Sequence, residues 1–156
     1  MTILEALKKI KHLDRKIEKT HKRISRWCSY VDTDDPLYNA DDIRAMMQSA
    51  EDLIRERNRL RHLIHKTNIA TVVTFQHKEL TLDELLILRT LTLPAMLAGV
   101  TLLRRREKGF HDQKEAKVVL QYDPKKRDKT IESIENTIAE LDAFLDSVNI
   151  TTNLVD

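Results

Sequence analysis

Glycine is almost absent from this chain of 156 residues, which contains only 2 Gly. Phosphate-binding loops, dinucleotide-binding fingerprints and nucleophile elbows all need clustered glycines, because the backbone there must approach a phosphate or a carbonyl group closely. Gly99 and Gly109 are too few and too far apart to build any of them. The sequence therefore argues against most nucleotide-dependent enzymes, and we predict a protein that is not an enzyme.

Cysteine, proline and aromatic residues are also scarce, with 1 Cys, 3 Pro and 4% aromatics. Cys28 cannot form an intramolecular disulfide, and its place beside Trp27 in a predicted helix seam is typical of a small buried hydrophobe in a reducing compartment. The 33% of charged residues and the small number of helix breakers predict long helices around an aliphatic core. The length suits one domain.

Neither the net charge nor the apolar runs point to a membrane. The net charge is +2 and the two signs are interleaved, so no strong field attracts nucleic acid or acidic lipid. Met1–Lys11 lacks an apolar run typical of a signal peptide, which predicts a cytoplasmic site of synthesis. Leu85–Leu103 is interrupted by Arg89, and its uncharged part is 14 residues long, whereas a span needs about 20. We therefore expect a fully packed central helix and no membrane.

Two seams of aliphatic residues, one at each end of the chain, indicate helices that pack against helices. Their residues recur at seven-residue spacing or at half-steps within it, the pattern of coiled-coil packing. The fold class predicted is mainly α, an antiparallel four-helix bundle formed by one helical domain over residues 1–156. The seam residues expected to hold the subunit together are Ile3, Ile10, Ile17, Ile24, Ile131, Ile138 and Leu145.

Capping residues and breakers set the expected element boundaries. Thr2 and Asn39 are good N-caps, and Thr81 with Glu84 forms a capping box. Pro94 is expected to kink the third helix, for which Gly109 is the expected stop. The predicted helices lie at about residues 2–30, 40–67, 82–108 and 124–148, and the predicted short strands, which form a small β-hairpin or three-stranded element, at about 70–75, 79–82 and 117–122.

Several segments together resemble a known family. They are the long N-terminal helical pair, Thr67–Thr71, the Leu80-Thr81-Leu82 entry to the third helix, and the ending Asn149–Leu154 after the pair Leu141-Asp142. On these segments the chain resembles the septicolysin-like proteins, small helical proteins of bacteria and phages. The resemblance implies a helical, oligomeric protein and carries over no catalytic residue. The chain departs from the family pattern where Gln76-His77-Lys78 replaces a glycine turn.

Two basic clusters form the candidate interaction surface. Lys125, Lys126 and Arg127 lie in the first turn of the last predicted helix, where the helix dipole disfavours positive charge. A phosphate or an acidic partner would explain them, and solvated charge is the simpler alternative. The second cluster, at the expected end of the third helix, consists of Arg104, Arg105 and Arg106.

A metal site is the remaining chemical candidate. Glu18 and His21 form one Glu-x-x-His motif, and di-metal bundles need two such motifs on different helices. The chain offers only His62 with His65 as a substitute, without a carboxylate at the matching spacing. We therefore predict no metal site and no cofactor.

The third helix is apolar on several faces, and a sheet edge can pair with a neighbouring chain. We therefore predict a structural protein that self-associates as a homo-oligomer or docks as a subunit on a larger particle through protein contacts. The larger particle we consider is a bacteriophage virion, a setting that rests only on association at the level of the family. The alternatives are a nucleic-acid-associated accessory protein using the two basic clusters and, less favoured, a metal-dependent enzyme on a helical bundle.

Overall fold

The chain, seen in a computed structural model that describes residues 1–105, 107, 109 and 117–155, is mainly helical with a small antiparallel sheet. It divides into two compact units. Unit 1 comprises Met1–Thr71 and Ser147–Asp156, and unit 2 comprises Val72–Asp146.

Unit 1 is built on two long helices, α1 (Ile3–Trp27) and α2 (Ala40–Ala70). Both begin where the sequence predicts, because each has a reciprocal cap. The Thr2 hydroxyl accepts from the backbone N–H of Glu5 at 3.2 Å, and the Glu5 carboxylate accepts from the N–H of Thr2 at 2.9 Å. Asn39 and Asp42 form the same arrangement. Such caps satisfy backbone donors that a helix start leaves without partners.

The heptad seam of α1 is buried against α2. Ile3, Ile10 and Ile17 are buried, while Ile24 is half-buried near the end of the helix. Arg57, a charged residue in the seam of α2, donates to Asp14 of α1 with 3.2 Å between Nη1 and Oδ1. The charge in this seam therefore has an acidic partner on the facing helix. Cys28 corrects another prediction, since it is exposed at the C-cap of α1 and not buried in the seam.

The two ends of the chain are tied together within unit 1. The N–H of Ile3 donates to the carbonyl of Thr152, and the N–H of Leu154 donates to the carbonyl of Met1, both at 2.9 Å. The hydroxyl of Thr67, a residue with 0% exposure, accepts from the N–H of Val155 at 3.0 Å. Thr67 therefore anchors the C-terminal strap on α2.

Unit 2 begins with a two-stranded antiparallel sheet of β1 (Val72–Phe75) and β2 (Lys78–Thr81). Gln76 and His77 form the turn between them, and both have positive φ, 46° and 63°. Two left-handed residues in succession are the geometry of a tight hairpin turn, which usually takes Asn-Gly. The predicted hairpin is confirmed, and it forms without the glycine.

A continuous helix of 20 residues, Leu82–Thr101, follows the hairpin. It consists of α3 (Leu82–Ile87), a π-helical segment (Leu88–Thr92) and α4 (Leu93–Thr101). We call it the middle helix. The last helix, α5 (Pro124–Thr151), begins in unit 2 and continues into unit 1.

The sequence-based bounds of the middle helix and of one strand were wrong. The helix ends at Thr101 and not near residue 108, so Arg104 and Arg105 follow it instead of forming its last turn. The expected stop, Gly109, also lies outside the helix. Residues 117–122 form no strand: Val119 is 81% exposed, and β-branched residues do not make a strand without a partner to complete the ladder.

The middle helix is also not the packed central helix that we expected. Of its most apolar window, 11% is buried. The predicted seam residues of α5 are more buried than the middle helix. Leu145 is buried, and Ile131 and Ile138 are half-buried. An apolar helix without cover is therefore the main departure of the structure from the sequence-based expectation.

Candidate interaction surface

The middle helix is held in unit 2 by an ion pair at its midpoint. Arg89 donates to Asp142 of α5, with 2.5 Å from Nε to Oδ1 and 2.9 Å from Nη2 to Oδ2. Hydrogen bonding to the guanidinium lowers the pKa of Asp142 and raises the pKa of Arg89. This two-pronged contact fixes the rotation of the helix about its axis.

The π-helical segment keeps the inward residues of the middle helix on one face. Leu85, Arg89 and Leu93 are spaced four residues apart, which is longer than the 3.6-residue turn of an α-helix. The wide turn at Leu88–Thr92 absorbs the resulting drift. The π segment ends at Thr92, two residues before Pro94. The kink expected at Pro94 stays a prediction.

The opposite side of the middle helix is apolar and exposed. Leu91 is 65% exposed, Met96 52% and Leu102, just beyond the helix, 75%. A soluble chain seldom leaves a continuous stripe of this kind uncovered unless it binds something. We define the apolar face as the exposed residues Ile87, Leu91, Ala95, Met96, Ala98, Gly99 and Leu102.

Gly99 has no reason within the chain to be a glycine. Its φ is not positive, and a Cβ added there would meet nothing within 4 Å. A glycine inside a helix costs roughly 0.5–1 kcal/mol relative to alanine. This residue therefore leaves a gap in the apolar face without serving the backbone or the packing of its own chain.

A groove at the N-terminal end of the apolar face extends it toward the hairpin. Its volume is about 340 Å³, and it is lined by residues of the hairpin and of the middle helix. The lining is mainly apolar, from Phe75, Leu80, Ile87 and Leu88, with Lys78 and Glu84 contributing charge. The Glu84 carboxylate accepts from the backbone and the hydroxyl of Thr81, which lowers its pKa.

The predicted basic cluster at the start of α5 lies beside acidic residues. The backbone N–H groups of Lys125 and Lys126 donate to Asp123 at 2.9 and 3.3 Å, so an acidic cap already offsets the dipole at this helix start. Arg127 pairs with Asp128 at 2.7 Å. Arg104 and Arg105 are exposed after the middle helix, and Arg106 lies outside the described residues.

A basic groove that the sequence reasoning missed lies between α1 and α2. Its volume is about 300 Å³, and Lys16, Lys19 and Arg23 line it together with the hydroxyl residues Thr20 and Ser49. α1 carries nine Lys or Arg residues and three Asp or Glu residues. The charge of the whole chain is nearly balanced, so the excess of positive charge in α1 is seen only when the residues of each helix are counted separately.

The glutamate of the candidate metal motif forms an ion pair with a lysine. Glu18 forms an ion pair with Lys22 at 2.6 Å, and hydrogen bonding to this lysine lowers the pKa of Glu18. Across residues 1–105, 107, 109 and 117–155, no group of three or more His, Cys, Asp or Glu is arranged to hold a metal ion.

Comparison with known proteins identifies the family. Residues 11–154 match the model of a family of unknown function, DUF6847. The chain belongs to this family. A crystal structure described as that of a functionally unknown conserved protein from Corynebacterium diphtheriae is similar over 99% of both chains, with a TM-score of 0.73 and 20% identity. This DUF6847 member therefore shares its fold with a protein whose crystal structure is known. No curated protein sequence matches the chain.

The middle helix is long and apolar enough, by length and composition, to cross a membrane. The contacts of unit 2 argue against a crossing. Arg89 at the midpoint of the helix holds Asp142, and the Gln76 side chain beside the hairpin turn donates to Glu140 at 3.0 Å. Both carboxylates lie on α5, so a span would carry charged groups of α5 into hydrocarbon, which is costly.

Proposed function

We propose that this DUF6847 protein is a non-enzymatic assembly protein that self-associates or docks on a larger complex through the apolar face. The observation that carries the proposal is the exposure of the middle helix, which is fixed in place by Arg89 and Asp142 yet covered on one side only. Burying apolar surface is the dominant favourable term in most protein association.

The identity of the larger complex, the oligomeric state and the packing of the four helices stay predictions. A bacteriophage virion, oligomerisation as in the septicolysin-like proteins, and closure of the four helices into one bundle are supported only by the sequence. The exposed apolar face supports an assembly role in any of these settings.

Light scattering over a range of protein concentrations tests the assembly role. We expect the native protein to have a mass above that of one chain, and we expect Leu91→Glu to remove the association, because it places a charge in the middle of the apolar face. Met47→Glu is the matched control, since Met47 is an exposed apolar residue of α2, in unit 1. A native protein that stays monomeric and binds no particle component would overturn the proposal.

The basic groove favours a second candidate function, a nucleic-acid-associated accessory protein. Lys19 and Arg23 form no ion pair among the residues that the structure describes, while Lys16 interacts electrostatically with Glu56. Phosphates bind basic groups with release of counterions. The site differs from the one predicted, because the cations at Lys125–Arg127 lie beside Asp123 and Asp128.

Fluorescence anisotropy with a labelled duplex, measured at several salt concentrations, tests this second function. We expect an affinity that falls steeply with salt and that Lys16→Gln with Arg23→Gln weakens strongly. The charge-matched control is Lys125→Gln with Lys126→Gln, which should leave the affinity nearly unchanged. Equal loss in both double variants, or binding that ignores salt, would exclude the basic groove as the site.

A further inference from the structure

The two ends of the apolar face carry opposite charge. Glu84 lies at the start of the middle helix and Glu79 on the adjacent strand, and these two carboxylates outnumber Lys78 of the same strand. Arg104 and Arg105 follow its last turn and are exposed, and the next residue in the sequence is also arginine. One surface therefore combines an acidic end, an apolar centre and a basic end over roughly 30 Å, at about 1.5 Å per helical residue.

Such a surface complements itself when it is turned end to end. In an antiparallel pair the acidic end of one copy faces the basic end of the other, whereas a parallel pair places like charges together. An acidic lipid surface is a poorer match, because a helix lying flat on it would press Glu79 and Glu84 against negative headgroups. The charges therefore favour a self-complementary pair over an acidic lipid surface.

The apolar face also has the shape that such a pairing needs. Ala95 is near the midpoint between Ile87 and Leu103 in the sequence, so a two-fold axis at Ala95 brings residues 91 and 99 of the two copies opposite each other. Leu91 protrudes with 65% exposure, and Gly99 offers an open gap. A large side chain over a small one is the packing by which helices approach closely.

From the charged ends, the exposed Leu91 and the gap at Gly99, we infer that the partner of the apolar face is a second copy of this chain. The two copies bind antiparallel through the middle helix, about a two-fold axis at Ala95. The inference rests on the proposed assembly function and specifies its partner. It also accounts for Gly99, which forms the hole that receives Leu91 of the second copy.

Cysteine cross-linking tests the orientation and the register. Cys28 is first changed to serine, because it is exposed and would form its own cross-links. In that background Ala95→Cys should form a disulfide-linked dimer under mild oxidation, since a residue on a two-fold axis meets itself. Ile87→Cys and Leu103→Cys should each form little dimer alone and should cross-link to each other when the two variants are mixed.

Gly99→Ala tests the packing without threatening the fold. The added methyl group meets nothing in its own chain, so the monomer should fold as stably as before or slightly better. In the dimer it fills the hole for Leu91, and we expect the affinity of self-association to fall about tenfold or more, the equivalent of about 1.4 kcal/mol. Met47→Ala on α2 is the control and should leave the affinity unchanged.

The outcomes separate this inference from the assembly function on which it rests. A protein that oligomerises, but in which Ile87→Cys and Leu103→Cys each link to themselves, is paired in parallel, and the inference is wrong while the assembly function stands. Oligomers that Gly99→Ala and the cysteine variants leave unaffected lead to the same conclusion. A monomer that binds vesicles of acidic lipid through Leu91 would overturn both.

Discussion

The α1–α2 hairpin and the middle helix use aliphatic residues in opposite ways. In the α1–α2 hairpin, Ile10 and Leu13 pack with Leu60 of the other helix, and Arg57 pairs across the seam with Asp14. In the middle helix one charge, Arg89, holds one side against α5 while most of the apolar surface faces outward. The same residue types therefore build a core in one region and an exposed apolar surface in the other.

Truncation of a leucine should lower the free energy of unfolding by very different amounts in the two regions. Leu13, with 3% exposure, packs with Ile10 and Leu60 in the hairpin core. Leu13→Ala should lower the free energy of unfolding by about 2–5 kcal/mol, because it creates a cavity. The matched change Leu91→Ala should cost the isolated monomer less than about 0.5 kcal/mol. Urea unfolding of both variants at a concentration that favours monomer checks this, and equal losses would contradict it.

Thr67 allows the C-terminal strap of unit 1 to be tested separately. Thr67→Val removes the acceptor of the Val155 N–H, and an amide left without a partner costs about 1–3 kcal/mol. Thr130→Val is the control, because the hydroxyl of Thr130 donates only to a carbonyl of its own helix. Thermal unfolding should show a larger loss for Thr67→Val, and equal shifts would show that the strap contributes little.

A substitution in the turn of the β-hairpin should have a smaller effect on the free energy of unfolding, and it should stabilise the chain. His77 holds φ at 63°, a conformation that costs a residue with a Cβ about 1–2 kcal/mol. His77→Gly should stabilise the chain by up to about 1 kcal/mol, after allowing for the greater freedom of glycine in the unfolded chain. Gln76 is unsuited to the same test because its side chain also donates to Glu140. A destabilised His77→Gly variant would contradict the strain assigned to the turn.

The ion pair of the middle helix should give the smallest effect, because both side chains are partly exposed. The pKa of Asp142 is lowered in the folded state, so its contribution is present above the unfolded-state pKa, near 4. It is lost as pH falls through the lower folded-state value. Asp142→Asn should therefore reduce stability at pH 7, and the reduction should be smaller at an acid pH below about 4. An equal loss at both pH values would show that its charge is unimportant.

The sequence predicts the hairpin of unit 1 well because its signals are local. The N-caps at Thr2 and Asn39 depend on residues close in the chain, and the heptad seam depends on one periodic pattern. The same reasoning found the β-hairpin and the start of the middle helix at Thr81. These boundaries agree with the structure to within about three residues.

Burial of the middle helix could not be predicted in the same way. An apolar helix inside a core and one that waits for a partner have the same composition, and only tertiary contacts distinguish them. The end of this helix was placed too late because Arg104–Arg106 and Gly109 imitate a helix C-terminus. The basic groove was missed because its residues come from two helices, although the excess of Lys and Arg in α1 was visible in the sequence.

Hydrogen exchange at two protein concentrations tests the contrast between the two regions most directly. Amides of α1 and α2 are stabilised within the chain and should exchange at the same rate at both concentrations. Amides of Leu82–Thr101 should become more protected at the higher concentration, because there the apolar face is covered. Protection of the middle helix that does not change with concentration, while α1 and α2 also remain unchanged, would contradict the claim that this helix is a surface for assembly.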